Sequence, residues 1–449
     1  MFERTFEKAT LVPASAADVF AWHQRPGAFD RLQPPWDPTK LIASEGIRDG
    51  SRVVLQVRAP WPRRWVAEHF EIIEGRQFRD RQLHGPFPSW VHTHRFDRHG
   101  PHQSRRCVMR DRIDFKLPAG PLGVIAYKLF MRRQIERMFD HRHAVVVADL
   151  IDHQIFSADK TLSVAITGAS GTIGTALTHF LSTGGHAVRP VRRLDGLSFD
   201  LEAIRGADVL VHLAGEPIIQ RWDQEVKDRI RRSRVDRTKV LCEQMTRLPE
   251  SDRPKVMLSG SAIGVYGSRE DHLLTEDSSP GDNFLAEVAL DWEKATADAS
   301  SIGIRVVHLR TGLVLTPRSG VLGKALLPFK FGVGGRLGSG RQYMSWISLD
   351  DHIRAMTFLM FAPNFEGPVN LVAPDPVSNL EFSKTLGRVL RRPAIVPAPR
   401  AALQIAFGDL ADEALLASQR VEPMRLQQAG FRFRHPQLER TLRELLGRP

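Results

Sequence analysis

The chain has 449 residues, 42% hydrophobic and 25% charged, with 34 Gly and 29 Pro, a globular composition with roughly three domains' worth of mass at about 150 residues each. Two cysteines, Cys107 and Cys242, exclude a disulfide framework and a four-thiolate zinc site. The formal net charge is +12, no apolar run approaches the length of a membrane span, and the charged N-terminus is unlike a secretory signal, so a cytoplasmic protein with no integral membrane segment is expected.

In chain order, Ser15 followed by Asp18 predicts a helix cap, and prolines break the chain soon afterwards. Period-two runs at 51–57, 65–73, 90–96 and 107–115 predict antiparallel strands, and from Leu122 to Leu150 the apolar spacing becomes helical. Residues 1–150 hold 25 of the 63 basic and 17 of the 51 acidic residues, a net +8, but the arginines are scattered among the strands, so nucleic acid is not expected as a partner. A curved sheet closed by one long helix leaves space for a ligand.

Trp90-Val-His-Thr-His-Arg-Phe96, Asp111-Arg112, Leu117-Pro-Ala-Gly-Pro-Leu-Gly123 and the helix ending Glu136-Arg-Met-Phe-Asp-His-Arg142 resemble the START-like (SRPBCC, cyclase/dehydrase-like) helix-grip domains. The resemblance covers residues 1–152 and implies an α+β domain holding an apolar ligand. His92 and His94 share one strand face and can serve as metal ligands, acid/base groups or hydrogen-bonded structural residues. No third ligand stands at a recognisable metal spacing, so no metal is expected.

Beyond this point strands alternate with helices. Strands are expected at 162–167, 187–191, 209–213, 256–259 and 306–309, with helices around 173–181, 223–241 and 285–299, which is a doubly wound α/β arrangement. Gly168-Ala-Ser170-Gly171-Thr172-Ile173-Gly174 follows the first of these strands and opens a helix. There Gly168 makes a tight turn, Gly171 admits a pyrophosphate to the backbone, and Gly174 lets helix pack on strand. The helix amides favour an anion. The next strand ends in Arg192 and Arg193, where an NAD-selective site places a carboxylate, so NADP(H) is the expected cofactor.

These motifs, together with Val211-His-Leu-Ala-Gly-Glu216, Ser233-Arg234, Gly264-Val-Tyr-Gly267, Arg310-Thr-Gly-Leu-Val-Leu315 and Ser345-Trp-Ile-Ser-Leu-Asp-Asp351, resemble the extended short-chain dehydrogenase/reductases. The closest likeness is to the epimerase-like subfamily with a short C-terminal domain of unknown function. The resemblance implies a Rossmann-type domain at 160–398 and a small, mostly helical C-terminal cap at 399–449. It further implies that Leu213, Ala214 and Gly215 line the adenine and pyrophosphate, that Arg234 lies near the phosphates, and that Val314 lies near the nicotinamide.

One expected feature is missing. Short-chain reductases pair a Tyr with a Lys four residues later, but Met131, Glu270 and Ile347 stand four residues after Tyr127, Tyr266 and Tyr343. Either Ser259, Ser261, Tyr266 or Glu287 handles the proton, with Ser261 and Tyr266 the chosen catalytic candidates, or the domain binds cofactor without turnover. The glycine-rich stretch 332–340 is expected to be a mobile loop near a small-molecule substrate. Oligomeric state is not readable from the sequence.

Overall fold

The computed structural model describes residues 2–37, 39–58, 62–101, 105–157, 160–194 and 196–448. Two compact units emerge, Met1–Thr161 with His179–Gly185, and Leu162–Thr178 with His186–Pro449. Among the described residues no helix is long and apolar enough to cross a membrane.

The first unit is a seven-stranded sheet. Its strands are β1 (Glu3–Val12), β2 (Lys40–Ser44), β3 (Arg52–Arg58), β4 (Pro62–Ile73), β5 (Gln77–His84), β6 (Ser89–Arg98) and β7 (Cys107–Lys116). They pair antiparallel throughout in the order β1-β7-β6-β5-β4-β3-β2. Between β1 and β2 lie α1 (Ala16–Gln24) and α2 (Ala28–Leu32). The expected cap is present: Ser15 Oγ accepts from the Asp18 amide at 3.1 Å, and Asp18 Oδ2 accepts from the Ser15 amide at 3.3 Å.

After β7 come α3 (Gly120–Ala126), a π-helical turn at Tyr127–Met131 and the 26-residue α4 (Arg132–Ser157). Phe139, Val146 and Leu150 of α4 are buried, as are Phe78, Phe96, Met109, Ile113 and Phe115 of the sheet. The expected ligand space between sheet and helix is instead filled by side chains. The enclosed space bordered by His23, His94, Met109 and Phe139 measures about 10 Å³. Three strands, β1, β2 and β5, carry no apolar alternation and go beyond the sequence expectation.

The second unit holds a six-stranded parallel sheet of β8 (Ser163–Thr167), β9 (Ala187–Val191), β10 (Val209–His212), β11 (Val256–Ala262), β13 (Arg305–Thr311) and β17 (Gly367–Leu371). Short pairs outside it are β12 (Leu273–Leu274) with β19 (Arg420–Val421), β14 (Leu313–Leu315) with β16 (Trp346–Ser348), and β15 (Tyr343–Met344) with β18 (Val377–Ser378). The order β17-β13-β11-β10-β8-β9 reverses direction between β8 and β10, the switch point where open α/β sheets bind ligands. Helices α5 (Thr172–Thr183), α6 (Gln224–Arg231), α7 (Arg237–Thr246), α8 (Phe284–Lys294), α9 (Ala297–Ser301), α10 (Gly320–Lys330), α11 (Leu349–Phe361) and α12 (Asn379–Leu390) connect or cover the strands.

The C-terminal segment adds α13 (Arg400–Phe407), α14 (Met424–Gln428) and α15 (Leu438–Leu445). It is built into the second unit's interior. Leu438 and Leu442 share a core with Trp346, Phe382 and Leu386, and Leu410 packs with Trp222 and Val226. The stretch expected to be mobile is also tied down: the Gly338 amide donates to the Ala398 carbonyl at 2.8 Å, and the Ala398 amide donates to the Arg336 carbonyl at 2.9 Å.

Candidate functional site

The glycine loop leaves β8 at the switch point. Gly168 has φ +71°, a left-handed conformation, and a Cβ there would meet the backbone of Leu213 and Ala214 at 2.9 Å. At Gly174 a Cβ would lie 2.3 Å from the Gly168 carbonyl oxygen, so only glycine lets α5 seat against the turn. The Gly171 amide closes that turn on the Gly168 carbonyl at 3.0 Å. Ser170, Gly171 and Thr172 are exposed and Ile173 half-buried. This places the first-turn amides of α5, which have no acceptor within the helix, at an open surface.

Beneath the loop lies a buried relay of polar side chains. His212 bridges Thr167 Oγ1 (2.7 Å) and Thr238 Oγ1 (3.0 Å), and burial lowers its pKa to about 4, so the ring is neutral. The Thr167 hydroxyl accepts from the amides of Leu213 (3.2 Å) and Ala214 (3.3 Å). These two residues therefore offer a half-buried surface beside the glycine loop, while their N–H groups are directed inward. Gly215 is exposed, and a Cβ on it would touch the Arg234 guanidinium at 3.3 Å. Arg234 donates to the Glu216 carbonyl (3.0 Å) and to Ser233 Oγ (3.2 Å) and lies over the Trp292 ring at 5.3 Å. Burial lowers its pKa to about 10, still leaving it cationic at neutral pH.

Arg192 and Arg193 are exposed just past β9. A π-helical turn at Arg232–Asp236 joins α6 to α7 and brings further cations into play. Burial and the positive charges of Arg193 and Arg232 push the Arg237 guanidinium below its ordinary pKa, and its Nε is buried with no hydrogen-bond partner. Arg237 thus lies within electrostatic reach of Arg193 and Arg232, with Glu216 opposing them, a surrounding that favours a bound anion. Val314 is half-buried in β14, and Ser319 in the following loop hydrogen-bonds Thr172 at the start of α5 (2.9 Å).

The two proton-transfer candidates lie in one buried network. Tyr266 is fully buried, its hydroxyl donating to Asn370 Oδ1 at 2.7 Å and accepting from Arg310 Nη1 at 3.0 Å. Arg310 also grips both carboxylate oxygens of Glu293 (2.8 and 2.9 Å), and Ser261 Oγ donates to Glu293 Oε1 at 2.7 Å. Burial raises the Tyr266 pKa, opposed by Arg310, which leaves the phenol a weaker acid than a free tyrosine. Both hydroxyls are committed to internal partners, so each would have to exchange a bond to reach a substrate. Ser259 is buried, and Glu287 is exposed on α8.

Comparison with known proteins bears on what this site belongs to. Residues 164–371 match the NAD dependent epimerase/dehydratase family, and residues 398–445 match a domain of unknown function, DUF1731. An epimerase family protein of Mycobacterium bovis, Mb2239, is 43% identical over 297 residues, which span 63% of this chain and 96% of that protein. The chain belongs to the NAD-dependent epimerase/dehydratase family.

Two solved structures extend the family assignment. A nucleoside-diphosphate sugar epimerase from Corynebacterium glutamicum superposes with TM-score 0.78 at 33% identity, covering 98% of this chain and 90% of that one. Human epimerase family protein SDR39U1 (isoform 2), solved with NADPH, has TM-score 0.59 at 33% identity, covering 64% of this chain and all of that one. Sequence reasoning did not single out Arg232, Arg237, Glu293 or Asn370, and it met Arg310 only as the first residue of a family-like motif. Their signal is weak in the sequence because the π turn shifts the phase of the helix, and because Glu293, Arg310 and Asn370 come from three separate elements.

Proposed function

We propose that the second unit binds NADP(H) at the switch point of its parallel sheet and uses it in oxidoreduction or epimerisation of a small molecule. The observation that carries this reading is the glycine turn at the switch point, which a single Cβ at Gly168 or Gly174 would fill, together with Arg237, whose buried Nε is unpartnered and whose guanidinium is within electrostatic reach of Arg193 and Arg232. The NADPH in the human relative supports the same choice. Gly168, Ser170, Gly171, Thr172, Ile173 and Gly174 would hold the pyrophosphate. Arg192 and Arg193, with Arg232 and Arg237, would hold the adenosine phosphate, Leu213, Ala214 and Gly215 would flank the adenine, and Arg234 would add a cation nearby. Val314 would line the nicotinamide side. Bound there, the nicotinamide supplies or accepts a hydride.

For the protein's own part in proton transfer, Tyr266 and Ser261 stand as the proposed groups, joined through Arg310 and Glu293. A second reading follows from their inward bonds and from the missing Tyr-Lys pair: a sensor or ligand carrier that binds NADP(H) without turnover. Isothermal calorimetry with NADPH and NADH, followed by an absorbance assay of NADPH oxidation over nucleotide sugars and a broad carbonyl set, tests both. Tight NADPH binding with turnover supports the enzyme. Binding without turnover supports the sensor, and no binding of either nucleotide refutes both.

For the first unit we propose the START-like helix-grip reading, supported by antiparallel strands followed by the 26-residue α4. A depression of about 750 Å³ bordered by Phe6 and Tyr127, by Arg4, Lys8 and Arg132, and by Glu7, Glu136 and Asp140 offers an amphipathic ligand apolar contacts and polar contacts of both signs. Native mass spectrometry of the purified protein tests for such a ligand.

A further inference from the structure

The polar residues buried in the first unit are arranged by strand register. Inward positions of β7 alternate Met109, Asp111 and Ile113, and β6 places His94 opposite Asp111. On the other side, β5 places Asp80 opposite His92 and Phe78 opposite His94. Four polar side chains from three adjacent strands therefore meet on the face covered by α4, which adds Arg142 and His143. A core of this kind costs several kcal/mol unless every charge finds a partner.

Asp111 organises the group. Its Oδ1 accepts from His92 Nε2 at 2.9 Å and from His94 Nδ1 at 2.6 Å, and its Oδ2 accepts from His143 Nε2 at 2.6 Å. Burial pushes the Asp111 carboxyl up, but the charge of His94 and the bonds from the three imidazoles outweigh it and hold the pKa well below the usual range. An ionised carboxylate only accepts, so the protons sit on His92 Nε2 and His94 Nδ1. The opposite nitrogens, His92 Nδ1 and His94 Nε2, both face Asp80 Oδ2, at 3.5 and 3.7 Å.

Two imidazole nitrogens and one carboxylate oxygen converge there, a set that offers three lone pairs to an ion once any proton on the imidazoles is displaced. Those separations are too long for hydrogen bonds, but they approximate the edges of a tetrahedron around a metal whose bonds are about 2.0–2.2 Å. The three ligand atoms all lie within 4.8 Å of one another. Each histidine's remaining N–H is held by a carboxylate, the outer-shell arrangement that fixes the tautomer and orientation of metal-binding imidazoles.

We propose that Asp80, His92 and His94 bind one divalent first-row transition ion, zinc being the reference case, through Asp80 Oδ2, His92 Nδ1 and His94 Nε2. Asp111 is the positioning residue. Two imidazoles and a carboxylate are donors that suit zinc, iron or cobalt and disfavour calcium and magnesium. Asp80 sits 12 residues before His92 on a neighbouring strand, so the set has no local sequence signature. In the absence of an ion, a proton on one imidazole satisfies the same two carboxylates, and this is the rival occupant.

The test uses the full-length protein, stripped with chelator and dialysed against Zn²⁺ or Co²⁺ before metal analysis. One equivalent per chain is expected, with Co²⁺ giving the visible bands of a low-coordinate site and no thiolate charge transfer, since both cysteines lie outside the cluster. Asp80→Asn and His94→Gln should each weaken Zn²⁺ binding at least tenfold while the far-ultraviolet dichroism is kept. Asp111→Asn should weaken it about 10–100-fold and alter the Co²⁺ bands, with Asp111→Glu recovering part of the loss. The wild-type stoichiometry and spectrum need no variant to fold. Less than about 0.1 equivalent of either ion would mean that a proton occupies the site and would overturn the proposal. Binding left intact by Asp80→Asn and His94→Gln together would assign the metal elsewhere and overturn it equally.

Discussion

Replacing Arg237 by Ala tests the cation cluster most directly. Its guanidinium carries a buried Nε without a partner, and burial and the charges of Arg193 and Arg232, opposed by Glu216, push its pKa down. A phosphate monoester bound there gains hydrogen bonds to charged donors worth about 1.5–3 kcal/mol each. Screening on the solvent side takes the expected loss to the lower end, and 1.4 kcal/mol is tenfold in Kd. Arg237→Ala should therefore weaken NADPH binding about tenfold, leave NADH binding within about twofold, and flatten the salt dependence of NADPH binding. Calorimetric titrations with both nucleotides at two ionic strengths read all three quantities. An equal loss for NADPH and NADH would refute the assignment of this cluster to the adenosine phosphate, as would no loss at all.

Gly174→Ala places a methyl 2.3 Å from the Gly168 carbonyl oxygen, and the shift of α5 should cost about 1–3 kcal/mol of stability and abolish measurable binding of both nucleotides, read by thermal melting and calorimetry. Tyr266→Phe leaves Asn370 Oδ1 and Arg310 Nη1 short of a partner, so a loss of about 1–3 kcal/mol in urea denaturation is expected. If the hydroxyl acts in the transition state, turnover falls at least tenfold as well, and unchanged kinetics remove it from the mechanism. His212 and His352 are buried, and burial lowers each pKa from 6.5 to about 4. The unfolded chain thus binds more protons between these values. Each group's contribution to stability is present above pH 6.5 and is lost as pH falls toward 4, by about 1.4 kcal/mol per unit. Denaturation midpoints at pH 7 and 5 measure this, and a flat profile would contradict the burial of both rings.

Five of the six strands of the parallel sheet were legible, the innermost because they are continuous apolar runs, whereas β17 (Gly367–Leu371) was not expected. Val164-Ala-Ile166 and Val209-Leu-Val211 are buried on both faces and signal themselves without context. The antiparallel sheet was legible only where inward positions are apolar, as in β6 and β7. In β1 the half-buried positions hold Arg4, Phe6, Lys8 and Thr10, and in β5 one inward position holds Asp80, so alternation is present in the backbone but absent from the hydrophobicity. The same substitution of polar for apolar that hid β5 supplied the third member of the proposed metal site. The glycine cradle was readable from spacing because its chemistry is local. Arg237 was not, because a π turn between two helices breaks the 3.6-residue phase on which a face assignment relies. The loop at 332–340 reads as flexible from its glycines, yet these residues admit the close approach of a neighbouring backbone: a Cβ on Gly335 would lie 2.1 Å from the Val396 carbonyl oxygen.

The final helix bears on how the chain acquires its structure during synthesis. Leu438 and Leu442 are the last buried residues of the cluster around Trp346, with Leu445 and Leu446 packed against it, and the Arg434 and His435 amides cap both oxygens of the Asp351 carboxylate. A nascent chain therefore holds an incomplete interior until residues 438 to 442 have cleared the ribosomal tunnel. Premature termination near residue 400 would strand Phe382 and Leu386 against water, making such fragments substrates for chaperones or proteases, whatever the integrity of the nucleotide cradle.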